Sequence, residues 1–537
     1  MTLRREWSLL LALLVGAAIR LDQIGIQIPL DDEWHALHAV ERFGYGHIAT
    51  HFGWTDYCIP LTLFAKAVSD TVGLSELWLR LPVLAAGLAS LVVMPLAARS
   101  WVGRETSTMF AWLLAVSPLH VYFSRLARPY SIALLLTFVA VVALPSAAVR
   151  GDRRWLGAYV AAAVLGPYFH LSVLPVILLP LGMAWIALAL GPRGVGAALP
   201  VRTLTLLTVA VGAGLLLLLG PPLLVDHRAL LYKAGRGEVH GALLAGAASL
   251  LAGSARTSVI VAMGLGALAG AVALGRRHAA GLGFLVAVAA LALGVPLATH
   301  PALIELPIVL VRYALIVLPL GLLLVAVGLV SGLALTTGRE SGAALVLGPV
   351  VGALLVWAGP LPRTHARPNA WTNHPAFQYS YAAPPCDPAL EVLPFYARLA
   401  REPARSRRLV EAPWLFAANA NRFHCEQRVH RQDMRIGFVG GVFDGEGPTG
   451  LPRPGELPIL TQPDRYRFRS FVHLGDPAGL TRQGPALVVL HKAIQKEMTG
   501  APTGSGLGIE PWIRKYRDVY GAPLYEDAWM AVFSVAR

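Results

Sequence analysis

The chain has 537 residues, of which 55% are hydrophobic and only 14% are charged, and its mean hydropathy is +0.58. Soluble domains carry about 25% charged residues, so this composition excludes a purely soluble protein and indicates an integral membrane protein with a soluble part. The formal net charge of +14 is typical of basic cytoplasmic loops, and nucleic-acid binding is not expected. The three cysteines exclude a disulfide-rich scaffold and a cysteine-based zinc ribbon.

The apolar segments begin with residues 7–22, which follow Arg4 and Arg5. No small-x-small cleavage site follows this segment, so we interpret it as an uncleaved first transmembrane helix rather than a signal peptide. Ten further apolar runs raise the predicted number of spans to about eleven. They lie near 77–98, 105–119, 130–149, 155–170, 171–190, 203–225, 257–275, 279–298, 308–332 and 343–360.

The arginines predict the topology. With the N-terminus inside, every cytoplasmic connection is short and basic, as the positive-inside rule requires. The opposite connections carry the long insertions, the histidines and most of the acids, and an odd number of spans places the C-terminal region outside. These basic connections hold Arg4, Arg5, Arg99, Arg104, Arg150, Arg153, Arg154, Arg193, Arg202, Arg276, Arg277 and Arg339.

An acidic cluster opens the first outer loop, 23–76, in which we expect juxtamembrane helices. Asp31, Asp32 and Glu33 are consecutive. Asp31 is a good N-cap, and the helix dipole favours negative charge in the first turn, which explains one of these acids but not three. A carboxylate here is suited to accept a proton from an acceptor hydroxyl. The alternative, a divalent metal held by Asp31, His35 and His38 on one helical face, is less favoured because such histidine pairs are common.

A second group of polar residues lies in the short outer connection around 117–130. Arg125 and Arg128 are on the side where the positive-inside rule does not place arginines, and His120 and Tyr130 accompany them. The planar guanidinium fork suits a phosphate. The alternative is that these arginines reach lipid headgroups, but so many polar side chains in one connection favour a site.

A third group is scattered over later outer connections. His170 follows an apolar span, and a hydrogen-bonded histidine at a helix end is an equally good interpretation. Lys233 and Arg236 lie in the loop 226–256, where a solvated loop is the simpler explanation. Arg312 and Tyr313 begin an apolar span, and an arginine there is a site candidate because burying it unpaired is costly.

Residues 361–537 differ from the membrane part, 1–360. Prolines and charges increase, and short strand-like runs occur at 408–416, 435–439, 486–491 and 528–535, with a helix-like pattern at 389–402. These features predict a small extracytoplasmic α/β domain. Cys386 and Cys425 both lie in it, and an oxidising compartment permits them to pair.

Three segments, taken in order, resemble the GT-C superfamily of membrane glycosyltransferases. The first outer loop, with Ala17-Ala-Ile-Arg-Leu-Asp22 and then Pro29-Leu-Asp-Asp-Glu-Trp34, is similar to the superfamily's first helix end and Asp-Glu motif. Ser124-Arg-Leu-Ala-Arg-Pro-Tyr-Ser131 and Val311-Arg-Tyr-Ala-Leu315 resemble its later segments. The resemblance covers roughly residues 10–335 and is greatest to the bacterial protein O-mannosyltransferase and lipid A aminoarabinose transferase group.

The resemblance implies a sugar donor linked to a polyprenyl phosphate and no nucleotide. No metal cofactor is expected, and a divalent cation is the less favoured alternative. The resemblance also implies that Asp32 is the base and inverts the anomeric centre, with Glu33 beside it, although the extra Asp31 leaves the register open by one residue. The acceptor is then a lipid, glycan or protein at the outer face of a bacterial inner membrane. A lipid or glycolipid transporter and a non-catalytic scaffold are the alternatives. We expect phosphate ligands among Arg125, Arg128, Arg312 and Lys233, and other substrate contacts from Asp31, His35, His120, Tyr130, His170 and Tyr313.

Overall fold

The computed structural model describes residues 3–22, 24–25, 33–53, 58–190, 199–232, 235, 237–337, 343–362, 392–412, 423–438, 467–468, 471–474, 480, 485–492 and 509–535. The chain divides into two compact units. The first comprises Met1–Asp22, Gly44–Phe64 and Arg80–Pro362, and the second comprises Gln23–Phe43, Ala65–Leu79 and Arg363–Arg537.

The N-terminal part of the chain contains helix α1 (Leu3–Leu21), followed by three short helices in the predicted outer loop. These are α2 (Glu33–Arg42), α3 (Tyr45–Thr50) and α4 (Ile59–Thr71). They have 10, 6 and 13 residues, which is too short for a crossing that needs about 20. This segment therefore holds helices too short to cross a membrane, and their position beside its outer face stays a prediction.

Most of the remaining membrane part is helical, and seven of its described helical segments are long and apolar enough to cross a membrane. They are α5, α8, α10 together with the 3-10 turn Leu171–Val173 before it, α11, α13, α14 and α16. The bounds are α5 (Glu76–Val102), α6 (Arg104–Val116), α7 (Pro118–Arg125), α8 (Tyr130–Arg150), α9 (Arg153–Phe169), α10 (Leu174–Leu190), α11 (Val201–Tyr232), α12 (Gly241–Ala252), α13 (Thr257–Arg277), α14 (Ala279–Thr299), α15 (Pro307–Tyr313), α16 (Val317–Thr337) and α17 (Ala343–Ala358).

The predicted fold class, a multi-pass α-helical membrane protein with a C-terminal α/β domain, is confirmed. Four of the predicted spans coincide with helices that do not qualify by length and composition alone. Helix α1 carries charges at both ends, and α6, α9 and α17 have 13, 17 and 16 residues. The count of eleven spans stays a prediction.

Glycine lets two membrane helices pack with their backbones in contact. Gly266 and Gly270 lie one turn apart on α13 and face Gly328 of α16. A Cβ atom at Gly270 or at Gly328 would overlap backbone atoms of the opposite helix. Small residues spaced four apart allow this close approach between membrane helices, where dispersion contacts replace the hydrophobic effect.

Proline explains two breaks in the helices. Pro118 has no N–H group and starts α7 directly after α6, with the Ser117 hydroxyl accepting from the His120 N–H at 3.4 Å. The predicted span 308–332 is likewise divided, because α15 ends at Tyr313 and α16 begins at Val317. Pro319 then lies in the first turn of α16, where a missing N–H is tolerated. Both breaks leave polar side chains at helix ends.

The second unit contains a six-stranded sheet with strand order β3-β2-β1-β4-β6-β5. Strands β3, β2, β1 and β4 are parallel, and β6 runs antiparallel to β4 and β5. Its elements are α18 (Pro394–Leu399), β1 (Arg408–Ala412), α19 (Phe423–His430), β2 (Asp433–Phe438), β3 (Phe471–His473), β4 (Ala486–His491), α20 (Glu510–Tyr520), β5 (Tyr525–Glu526) and β6 (Met530–Val535).

The four predicted strands correspond to β1, β2, β4 and β6. Strand β4 is an apolar run that is buried on both faces, as expected of a strand in the middle of a covered sheet. Strands β3 and β5 have three and two residues, too few to show an alternating pattern, and the sequence does not reveal them. Cys386 and the side chain of Cys425 lie outside the described residues, so their disulfide stays a prediction.

Candidate active site

A fully buried arginine connects α1 to the break between α6 and α7. The Arg20 guanidinium donates to the Leu114 carbonyl at 3.0 Å and to the Ala115 carbonyl at 2.9 Å. The Leu114 carbonyl needs this donor because its partner one turn later is Pro118, which has no N–H. Arg20 thus stabilises the helix end from which the polar 117–130 segment departs.

His120 is also fully buried and lies against the same arginine. Its Nδ1 is 2.7 Å from an amino group of Arg20, and because a guanidinium only donates, Nδ1 accepts and carries no proton. The remaining proton of the neutral ring is then on Nε2, which has no hydrogen-bond partner among the described residues. His120 is one of the predicted substrate contacts. In this structure its ring is held by the hydrogen bond from Arg20.

Arg125 lies at the end of α7 and is 1% exposed. One of its amino groups donates to the carbonyls of Ile19 and Arg20 at 3.0 and 3.2 Å. These carbonyls belong to the last turn of α1, where the helix dipole favours a positive charge. This geometry gives Arg125 a helix-capping role, and its predicted contact with the donor phosphate stays a prediction.

Arg128 and Tyr130 lie at the start of α8. Arg128 is 8% exposed and Tyr130 is 3% exposed. The Tyr130 ring packs against Phe123 of α7, with 5.1 Å between ring centroids, and against His170, with 5.6 Å. The break between α7 and α8 therefore holds an arginine and a phenol beside a histidine from a different connection.

Arg312 and Tyr313 reach the same place from the end of α15. The Arg312 Nη1 group donates to the Tyr130 hydroxyl across 3.4 Å, and the Tyr313 ring lies edge-on to His170 with 6.0 Å between centroids. The Arg312 guanidinium is 6.0 Å from the Tyr313 ring centroid. Two sequence segments more than 170 residues apart thus meet at one group of side chains.

His170 lies at the centre of this group, at the end of α9. Burial and then the positive charges of Arg312 and Arg128 lower the pKa of His170 to about 3, so the ring is neutral at physiological pH. Its Nδ1 is 2.6 Å from the Ser172 hydroxyl. The charges of both arginines act on the imidazole, and Arg312 also contacts Tyr130.

We call Arg128, Tyr130, His170, Arg312 and Tyr313 the outer cluster. Two guanidinium groups provide positive charge and forked donors, and the phenol and imidazole provide further hydrogen bonds. His170, Arg312 and Tyr313 are partly exposed, so a ligand has access to them. This combination of groups matches a phosphate that becomes more negative as a bond to it breaks.

Four predicted site residues belong to the second unit, and the structure describes two of them. Glu33 is fully buried in the first turn of α2, where the helix dipole favours its charge. His35 follows it on the same helix and is partly buried. Asp31, Asp32 and Lys233, with Arg236 and the side chain of His38, lie outside the described residues.

Several residues near these groups are not among the predicted site residues. Arg20 belongs to the first segment of the family resemblance but had no predicted role at the site, and an arginine close to the end of an apolar span was the available signal. Cys58 has its sulfur 3.6 Å from the Phe169 carbonyl, directly before His170. Ser172 orients the histidine ring. Nothing in the local sequence marks Cys58 or Ser172, because their importance comes from a distant segment.

No family model matches the chain, and no curated protein matches it. Among solved structures, ArnT from Cupriavidus metallidurans is similar to it in the apo state and bound to undecaprenyl phosphate. The identities are 13% and 14% over 98% of this chain and 97% of that chain, with TM-scores of 0.45. The oligosaccharyltransferase from Archaeoglobus fulgidus, in complex with zinc and sulfate, is 14% identical over 80% of this chain and 62% of that chain, with a TM-score of 0.37. At these identities and TM-scores, the likeness carries no argument about what this chain binds or catalyses.

Proposed function

We propose that this protein is a membrane glycosyltransferase. It moves a sugar from a polyprenyl-phosphate donor to an acceptor hydroxyl at the outer face of the membrane. The observation that carries this proposal is the outer cluster, in which Arg312 contacts the buried Tyr130 and the charges of Arg312 and Arg128 act on the partly exposed His170. The order of the three motifs along the chain supports the same function.

In the proposed reaction, the outer cluster binds the donor phosphate. Arg128 and Arg312 donate to its oxygens and stabilise the negative charge that develops as the sugar leaves. Tyr130 is positioned to donate to an oxygen of the same phosphate once Arg312 turns to the ligand. His170 stays neutral because its pKa is about 3, so it contributes a hydrogen bond rather than a third positive charge.

The base belongs to the acidic cluster of the first outer loop. Asp32 takes the proton of the acceptor hydroxyl, whose oxygen attacks the anomeric carbon. The bond between that carbon and the phosphate oxygen breaks, and the phosphate leaves with the electron pair. Because the attack is from the face opposite the leaving group, the anomeric centre inverts. Glu33 is a neighbour of the base, and Asp31 is the alternative base.

The proposed setting is a bacterial inner membrane, with the N-terminus in the cytoplasm and the C-terminal domain outside. Nucleotide sugars are cytosolic, so a donor at the outer face has to be lipid-linked. The arginines provide the positive charge that a divalent cation otherwise brings to a phosphate, and we therefore propose a metal-independent reaction. The domain after residue 360 contributes to acceptor choice.

Two successive measurements test the function. Mass spectrometry of envelope glycolipids and glycans, with and without the protein, identifies the sugar. Transfer from the matching polyprenyl-phosphate sugar is then measured in vitro for the wild type and for Asp32→Asn. We expect the variant to lose at least about a hundredfold in transfer, the lower end of what a general base contributes.

Asp152→Asn is the matched control for this assay. Asp152 caps α9 on the predicted cytoplasmic side, accepting from the Arg154 N–H at 2.9 Å, and asparagine caps a helix equally well. It should transfer at the wild-type rate. Undiminished transfer by Asp32→Asn would exclude Asp32 as the base, and lipid movement across the bilayer with no new glycosidic bond would indicate a transporter instead.

A further inference from the structure

A short 3-10 turn fixes the position of a serine next to His170. The turn covers Leu171–Val173, between the end of α9 and the start of α10. It is closed by the Val173 N–H group, which donates to the His170 carbonyl at 3.1 Å. Because this hydrogen bond encloses Ser172, the serine side chain is held beside the imidazole two residues before it.

The hydrogen bond between these two side chains has a defined direction. The distance from Ser172 Oγ to His170 Nδ1 is 2.6 Å. Hydrogen bonds donated by a hydroxyl are about 2.5–3.0 Å long, whereas those donated by an N–H group are about 2.7–3.2 Å long. The short distance therefore indicates that the serine O–H group donates and that Nδ1 accepts.

The proton of the imidazole is then on its other nitrogen. The ring is neutral at physiological pH because the pKa of His170 is about 3, and a neutral imidazole has one N–H group, which here is Nε2–H. Among the described residues, Ser172 is the only hydrogen-bond partner of this ring. The Nε2 atom of His170 is not fully buried, unlike that of His120, so a ligand has access to it.

The surroundings of His170 favour a phosphate as this ligand. The positive charges of Arg312 and Arg128 act on the ring, and the Arg312 guanidinium also contacts Tyr130. The Nε2–H group adds a neutral donor to those of two guanidinium groups, and phosphate oxygens accept from all of them. The opposite tautomer would present a lone pair to the phosphate oxygens, which would repel it.

We propose that Ser172 is a positioning residue for the donor phosphate: its hydroxyl holds His170 in the tautomer whose Nε2–H group donates to a phosphate oxygen. This role rests on the function proposed above, because the phosphate is that of the polyprenyl donor. Ser172 acts through His170 and does not itself contact the phosphate. It keeps the ring in one orientation and one tautomer before the donor binds.

Binding of polyprenyl phosphate is measured by native mass spectrometry of the detergent-solubilised full chain. We expect Ser172→Ala to weaken binding by about three- to tenfold, the net contribution of one hydrogen bond. Ser172→Thr keeps a hydroxyl and should bind as the wild type does. The matched control is Ser100→Ala, at the predicted cytoplasmic end of α5, where the hydroxyl donates to the Ala97 carbonyl at 3.3 Å. This control should also bind as the wild type does.

A double-mutant cycle separates the proposed role from a purely structural one. In His170→Gln the side-chain amide carries N–H groups whatever residue 172 is, because glutamine has no tautomers. In this background Ser172→Ala should change binding by less than about twofold. An equal loss in both backgrounds would show that Ser172 only supports the turn, and it would overturn the proposal.

The tautomer itself is measured without ligand, by ¹⁵N NMR of protein labelled in its histidines. The signals of His170 are those that are missing from His170→Gln. We expect Nδ1 to be unprotonated and Nε2 to be protonated, and a protonated Nδ1 would overturn the proposal. This measurement needs only the wild type and His170→Gln, so it decides the question even if Ser172→Ala does not fold.

Failure of this role is distinguishable from failure of the transferase function. A wild type that binds no polyprenyl phosphate would overturn both. If the wild type binds polyprenyl phosphate and Ser172→Ala binds it equally well, the role of Ser172 alone is overturned.

Discussion

Replacing Arg312 by methionine tests the phosphate site most directly. Methionine keeps much of the side-chain length and removes the guanidinium. Arg312 Nη1 donates to the Tyr130 hydroxyl at 3.4 Å, which is long for a hydrogen bond. This contact therefore contributes little to stability, and thermal unfolding of Arg312→Met, measured beside binding, separates loss of binding from loss of structure.

The expected loss of affinity follows from the kind of hydrogen bond that is removed. A hydrogen bond between charged groups contributes about 1.5–3 kcal/mol, and each 1.4 kcal/mol changes a dissociation constant tenfold. Arg312→Met should therefore weaken binding of polyprenyl phosphate by about 10- to 150-fold. Arg312→Lys keeps the charge but loses the planar fork, so its loss should be smaller.

Binding is measured by native mass spectrometry of the detergent-solubilised protein with polyprenyl phosphate. The matched control is Arg256→Met, at an exposed arginine that lies 5.0 Å from the Trp357 ring centroid and outside the outer cluster. The control should bind as the wild type does. If Arg312→Met binds within about twofold of this control, Arg312 is not a phosphate ligand.

Three further predictions concern the stability of the protein in detergent, which is measured by thermal unfolding. Arg20→Met leaves buried carbonyls without a donor and should cost about 3 kcal/mol or more. Arg99→Met breaks a partly exposed ion pair with Glu6 and should cost at most about 1 kcal/mol; equal losses would contradict the anchoring role of Arg20. Gly270→Ala would overlap the backbone of α16 and should destabilise by about 2 kcal/mol or more, while Gly264→Ala, with no atom within 4 Å, should be tolerated. The pKa of His170 is about 3 in the folded state and about 6.5 in the unfolded state. Between these pH values the unfolded state binds a proton that the folded state does not, so the stability present above pH 6.5 is lost as the pH falls toward 3. A His170→Gln variant should lose less stability over that range, and an identical loss would contradict this pKa.

The fold class could be predicted from composition and pattern because membrane helices have long apolar runs. Seven described helices qualify on that basis alone. The helix breaks at Pro118 and before Pro319 were not predicted, because the apolar composition continues across both of them. The short strands β3 and β5 were not predictable, because two or three residues acquire strand geometry only from their neighbours in the sheet.

The amino-acid sequence by itself determined that this is a membrane protein with a C-terminal α/β domain, and it pointed to Arg128, Arg312 and His170. Those conclusions rest on local properties, which are hydropathy and the cost of placing a charge at a membrane boundary. Only the tertiary structure decided which cations share a site. Arg125 is similar in sequence context to Arg128, yet it caps α1, while Arg312 comes from a distant segment to meet Tyr130. The physical reason is that a guanidinium binds whatever acceptors the packing brings within about 3 Å, and packing depends on contacts between segments far apart in the chain.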